Sequence, residues 1–305
     1  MKTLFFGTSD FAVPSLEMTS ARTELAGVVT QPDRPAGRGH KLRPPPVKTV
    51  AENLRLPIYQ PASLKNFAQE LRGNRFDFFV VASYGKIIPK EVLDLPELGS
   101  LNVHPSLLPL YRGATPIQSA LRDGATETGV TIMFMDEGMD TGDIVLQERM
   151  PILPGETYGE LHDRLARFGA QVLGHAIDLA RGGEFLRTPQ SGKPTVTRPL
   201  QKGDLEIQWS WPAQHIVNHV RALSPSPAAR ASIAGVPVKV LHAELGGWDR
   251  PLVAPGGIVG VRGNAVVVRA GDTAVNILQV IAPNRGPQTG AAFALPLLKR
   301  PHDPA

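Results

Sequence analysis

Apolar positions near the start of the chain come in short runs rather than long stripes. Lys2–Phe6 is one such run, stopped by Gly7, and Leu25–Thr30 is another. Short apolar runs bounded by turn residues predict strands. Phe76–Ser83 (FDFFVVAS) is apolar almost throughout, the pattern of a strand covered on both faces of a parallel sheet. Ser100–His104 and Thr128–Met135 are further strand candidates, and Ala114–Leu121 between them reads as helix. Thr8, Ser9 and Asp10 offer N-cap oxygens to a helix running through Leu16. The longest helix starts at a T-x-x-E capping box, Thr157 and Glu160. Leu161, Leu165, Phe168, Val172 and Leu179 continue it at helical spacing, and Gly182-Gly183 stops it. Strands alternating with helices predict an α/β, Rossmann-like domain with a mostly parallel sheet.

From Thr188 to Gly203 the periodicity is lost (TPQSGKPTVTRPLQKG), the texture of a linker. The expected organisation is an N-terminal domain over 1–188, a linker over 189–206 and a second domain over 207–305. After one helix within Trp209–Leu223, short β-rich runs follow at Val236–His242, Gly257–Val261, Ala265–Arg269 and Val275–Ile281. Strands this closely spaced predict a small barrel or sandwich.

Composition removes several chemistries. The chain has no cysteine, so disulfides, zinc-thiolate sites and thiol nucleophiles are excluded. The start has too few apolar residues for a signal-peptide core, and no run approaches a membrane span; a cytoplasmic protein without membrane contact is expected. Lys and Arg number 32 against 28 Asp and Glu. The excess lies in residues 200–305, a weak pointer to a polyanion partner. More basic still is the loop Gln31–Lys48, where Arg34, Arg38, Lys41, Arg43 and Lys48 stand against Asp33 alone. Gly37, Gly39 and the prolines at 44–46 argue there against a regular helix.

The first βα turn, FGTSDFAVP, has one glycine where a dinucleotide fingerprint needs three. No Walker A or G-x-S-x-G sequence occurs, and His215 and His219 (HIVNH) lack the glutamate of a zinc protease motif. The informative segment is LNVHPSLLPLYRG, residues 101–113. One residue apart on a strand, Asn102 and His104 project from the same face, and the carboxyl end of such a strand is where open α/β sheets bind ligands. An amide donor and an imidazole together can stabilise an oxyanion on a carbonyl. Asp140, in DEGMDTGD, can orient or charge-stabilise the imidazole, with Asp143 a weaker neighbour. Taken singly, each residue has a plainer reading: Asn102 as a loop cap, His104 as a satisfied polar group, Asp140 as a turn former. Direct acyl transfer with no covalent enzyme intermediate is the chemistry left.

LNVHPSLLPLYRG resembles the N-x-H-x-S-L-L-P signature of the 10-formyltetrahydrofolate-dependent formyltransferases, and DEGMDTGD resembles their aspartate loop. FFGTSDFAVPSL, QPDRPAGRGHKLRPPPVK and TGVTIMFMDEGMDTGDI resemble the methionyl-tRNA branch of that family. The resemblance implies an OB-like, tRNA-binding barrel as the second domain and a catalytic group of Asn102, His104 and Asp140. It implies that Ser106, Leu107, Leu108 and Pro109 line the formyl-folate site, with backbone groups free to bind the pterin edges. It further implies that the basic loop meets initiator methionyl-tRNA through Arg34, Arg38, Lys41 and Arg43, Arg38 foremost. No metal is needed, and a monomer is expected. Where the family has an aromatic in the second domain, this chain has ALSPSPAARAS, residues 222–232. The alternatives are formyl transfer to a small amine (a purine ribonucleotide or an amino sugar) and a non-catalytic RNA-binding homologue.

Overall fold

The computed structural model describes residues 1–36, 41–183, 185–247 and 253–298. Two compact units emerge: residues 1–116, 127–151 and 162–197 form the first, and residues 117–126, 152–161 and 198–305 the second. Residues 189–206 divide between them. Within the first unit, Val196–Thr197 pairs in parallel with Arg112–Gly113. In the second, Lys202–Leu205 makes a 3-10 turn whose Leu205 is buried.

The first unit is built on a seven-stranded sheet. In spatial order its strands are Ile144–Pro151, Glu127–Phe134, Ser100–His104, Phe78–Ala82, Lys2–Gly7, Glu24–Val29 and Ile58–Tyr59. The last five pair in parallel. Glu127–Phe134 runs antiparallel to both of its neighbours, which ends the parallel run. Phe78–Ala82 is buried along its whole length, as its continuous apolar run predicts. Phe6, Phe79 and Phe76 pack ring to ring over one face with Phe67, Val81 and Val92. Ile144–Pro151 was not legible because every position along it is partly or fully exposed.

Two helix starts differ from expectation. Helix Val13–Arg22 follows a 3-10 turn at Asp10–Ala12 and has no side-chain cap. Thr8 Oγ1 instead donates to the Tyr84 carbonyl and Ser9 Oγ to Ser83 Oγ, so both hydroxyls serve contacts between loops. The prolines of the basic loop do not exclude a helix: Pro46 opens one, Pro46–Asn53. A first-turn proline loses no hydrogen bond, because that N–H has no intrahelical acceptor. The capping box forms as predicted, with Thr157 N–H donating to Glu160 Oε2 at 2.9 Å ahead of helix Tyr158–Arg181.

The second unit holds helix Ala213–Leu223 and a six-stranded antiparallel sheet. Its strands are Ala229–Ile233, Val236–Gly246, Ile258–Arg262, Ala265–Arg269, Ala274–Ile281 and Pro287–Thr289. The helix buries Ile216, Val220 and Leu223 against Val240, Val266 and Ile277. His219 is 1% exposed, and burial beside the Arg122 charge lowers its pKa to about 4. A histidine kept neutral in the fold takes up a proton on unfolding once the pH drops below 6.5. Stability should therefore fall between pH 6.5 and 4, by about 3 kcal/mol at most. Urea midpoints measured across that range check this, and His219→Phe should flatten the dependence.

Candidate active site

Strand Ser100–His104 sets Asn102 opposite Met133 and His104 opposite Thr131 on the antiparallel neighbour. Alternation puts both side chains on one face. Asn102 is half-buried, while His104 is 3% exposed. His104 Nε2 lies 3.1 Å from the Tyr111 carbonyl oxygen. A carbonyl only accepts, so Nε2 carries the hydrogen. Nδ1 faces Asp140 Oδ2 at 3.6 Å, beyond hydrogen-bond length, and the two interact through charge. Burial lowers the imidazole pKa; the Asp140 charge and the Tyr111 bond oppose it and lose. At neutral pH the ring is therefore uncharged, with its lone pair at Nδ1.

Asp140 reaches this place by an unexpected route. Because Glu127–Phe134 runs antiparallel, its carboxyl end lies beside Leu101, not His104. The loop 135–143 has to bring Asp140 back along the neighbouring strand. Asp136 braces the loop, accepting from Gly138 N–H at 2.9 Å and from Thr141 Oγ1 at 2.8 Å. Gln190 Nε2 donates to the carbonyls of Asp140 and Gly142, each at 2.8 Å. Asp143 contributes its carbonyl, which accepts from Phe134 N–H at 2.8 Å. Asp140 has φ 54°, a left-handed conformation that aspartate tolerates better than most residues. Its Oδ2 accepts the Gly113 N–H at 2.7 Å. Gly113 has φ 103°, and a Cβ there would sit 2.3 Å from the Thr197 carbonyl oxygen. Only glycine fits. Gln190 carried no sequence signal, since it lies in the aperiodic stretch after the long helix.

Ser106–Pro109 follows directly on His104. Its peptide groups are largely spent inside the protein rather than left free for a pterin edge. Thr131 Oγ1 accepts from Leu108 N–H at 3.2 Å and donates to the Ser106 carbonyl at 2.7 Å. Gln147 Nε2 donates to the Leu108 carbonyl at 3.0 Å and to Thr131 Oγ1 at 2.8 Å. Ser106 Oγ donates to the Leu110 carbonyl at 2.6 Å. What the segment offers a ligand is apolar side-chain surface at Leu107 and Pro109, both half-buried. Thr131→Val would leave two buried peptide groups without a partner and should cost about 2 kcal/mol. A urea titration checks it, with weaker binding of a folate analogue as the local readout.

In the basic loop, Arg34–Ala36 and Lys41–Arg43 pair as a two-stranded antiparallel ribbon. Arg34 and Arg43 stand directly opposite each other, both exposed, and position 41 shares their alternation class. Arg38 lies outside the described residues. Lys48 is committed elsewhere: it pairs with Asp33 at 2.9 Å, and Gln60 binds the same carboxylate at 2.9 Å. These partners hold the Asp33 carboxyl below its usual range and tie down the base of the ribbon. Among the described residues, no group of acidic and histidine side chains has the makings of a metal site, and no helix is long and apolar enough to cross a membrane.

Residues 1–177 match the formyl transferase domain and residues 199–295 match the formyl transferase C-terminal domain. The chain belongs to the formyl transferase family. A methionyl-tRNA formyltransferase of Syntrophus aciditrophicus is 45% identical over 287 residues, covering 92% of this chain and 91% of that one. One from Pelotomaculum thermopropionicum is 43% identical over 274 residues, covering 89% and 88%. Among solved structures, HypX from Aquifex aeolicus in complex with tetrahydrofolic acid shares the fold at TM-score 0.67 and 19% identity. That match covers 98% of this chain and 48% of HypX. The formyltransferase fold thus extends over both units.

Proposed function

We propose that this chain transfers the formyl group of 10-formyltetrahydrofolate to the α-amino group of methionine on initiator methionyl-tRNA. The observation that carries this reading is identity of 43–45% to proteins of that name, sustained over about nine-tenths of the chain. The site supplies a route. The amine nitrogen attacks the formyl carbon, and the Asn102 amide donates to the oxyanion that forms. His104 Nδ1 takes the proton released by the amine. The resulting imidazolium is held between the Tyr111 carbonyl on Nε2 and the Asp140 charge on Nδ1. As the C–N10 bond breaks, that proton passes to N10 of the departing tetrahydrofolate. A base of this kind must be unprotonated at rest, and burial keeps His104 so. Leu107 and Pro109 would take the flat apolar part of the folate.

The Arg34–Arg43 face of the ribbon would contact phosphates of the tRNA. Arg43→Ala should raise KM for methionyl-tRNA, leave folate binding unchanged and reduce the slope of log affinity against log salt by about 1. The test of the whole reading is an assay of purified protein with 10-formyltetrahydrofolate and two acceptors, methionyl initiator tRNA and a small amine such as an amino-sugar nucleotide. Formyl-methionyl-tRNA is the expected product. Transfer to the small amine alone would overturn the assignment.

A further inference from the structure

The second unit contains a cleft of about 330 Å³, lined by none of the residues given a part in formyl transfer above. Its walls include Arg122, Asp204, Glu206, Trp211, His215 and His219. Trp211 and His215 are stacked, with ring centroids 4.6 Å apart and planes within 10°, and His219 meets Trp211 edge-on at 5.3 Å. Two polar atoms here are buried without a partner: Arg122 Nε and His219 Nε2. They are complementary. Arg122 Nε–H can only donate. His219 hydrogen-bonds the Leu205 carbonyl through its ring, and burial holds it neutral, so Nε2 is left as an acceptor. An orphaned buried donor or acceptor is destabilising until something pairs with it.

The missing partner therefore has a flat face for the Trp211–His215 stack and an edge carrying both a donor and an acceptor. It is not an anion. Glu206 adds an exposed carboxylate to the cleft, and the Asp204 carboxylate is held by Arg198 and the Gln201 N–H. A phosphate would meet these negative groups with only a half-buried arginine to attract it. We infer that this cleft binds an unstacked nucleobase bearing an exocyclic amine, adenine or cytosine, whose N–H donates to His219 Nε2 and whose ring nitrogen accepts from Arg122 Nε. Single-stranded RNA is commonly read this way, by a base stacked on aromatic side chains with its edge hydrogen-bonded. Stacking of this kind is worth about tenfold or more in affinity per base, from about 1–3 kcal/mol.

Equilibrium titration with adenosine, which has no phosphate, tests the inference. Saturable binding is expected, at least tenfold weaker in Trp211→Ala and in the exposed-rim variant His215→Ala, and unaffected by inorganic phosphate. Deacylated initiator tRNA, titrated against the same variants, separates the sources: a matching loss assigns the base to tRNA, and no loss assigns it to a free nucleoside or nucleotide. No saturable adenosine binding, equal binding by both variants, or displacement by inorganic phosphate would overturn it. Because adenosine binding needs neither formyl-folate nor turnover, failure here would leave the formyl-transfer reading standing.

Discussion

His104→Ala should lower kcat for formyl transfer about 10³-fold, with the fold retained at some cost in stability and tRNA affinity close to that of the parent. The expected size follows from the value of a positioned acid–base group, about 10²–10⁴ in rate. The imidazole is buried and held at Nε2 by the Tyr111 carbonyl, so its lone pair points to the Asp140 side, where the attacking amine would have to come. Removing the ring removes the proton acceptor and leaves Asn102 in place, so activity above the uncatalysed rate should remain. Single-turnover rates at saturating formyl-folate and tRNA, with thermal melts alongside, separate this loss from unfolding. A parent-like rate would show that His104 is only a packed polar residue. The parent enzyme should also lose activity on the acid side, as Nδ1 becomes protonated below the usual histidine value of about 6.5.

Asp140→Asn should cost about 10²-fold in kcat and move the acid limb of the pH–rate profile to lower pH. Asparagine can still accept the Gly113 N–H through its side-chain oxygen, so the loop 135–143 keeps its anchors at Gly113 and Gln190. What is lost is charge. Asp140 raises the His104 pKa against the effect of burial, so a neutral amide there lets the pKa fall further. The imidazolium formed on the reaction path loses its counter-charge at the same time. A limb that moved upward, or a loss confined to KM, would contradict this role. Glycine 113 offers a check on geometry rather than charge: Gly113→Ala would force the Thr197 carbonyl aside and pull the N–H away from Asp140.

Much of this was legible in the sequence. Three of the five parallel strands announced themselves as apolar runs and Ser100–His104 as a further candidate, while the two-residue strand Ile58–Tyr59 did not. The i, i+2 spacing of Asn102 and His104 told which way both would point. The T-x-x-E box located the start of the long helix. The rest depended on tertiary contacts that leave no local pattern. Ile144–Pro151 pairs through its backbone while its side chains are mostly half-exposed, so neither period appears. The antiparallel turn of Glu127–Phe134 reverses where Asp140 enters, and no residue within that strand encodes its direction. Thr131, Gln147 and Gln190 act by hydrogen-bonding the backbone of distant segments, and threonine or glutamine in a loop or strand carries no signature of that work. Pro46 misled because three prolines read as a helix breaker until one of them is seen at a first turn.

If a neutral, buried His104 takes the proton of an attacking methionyl-tRNA amine, the rate must follow the protonation of that ring. The most direct test is the pH dependence of single-turnover formyl-methionyl-tRNA formation in the parent enzyme and in Asp140→Asn. Besides the limb that the substrate's own α-amine sets in every variant, a further acid limb below pH 6.5 is expected in the parent, lower still in Asp140→Asn and absent from the residual rate of His104→Ala. That further limb persisting in His104→Ala would contradict this role.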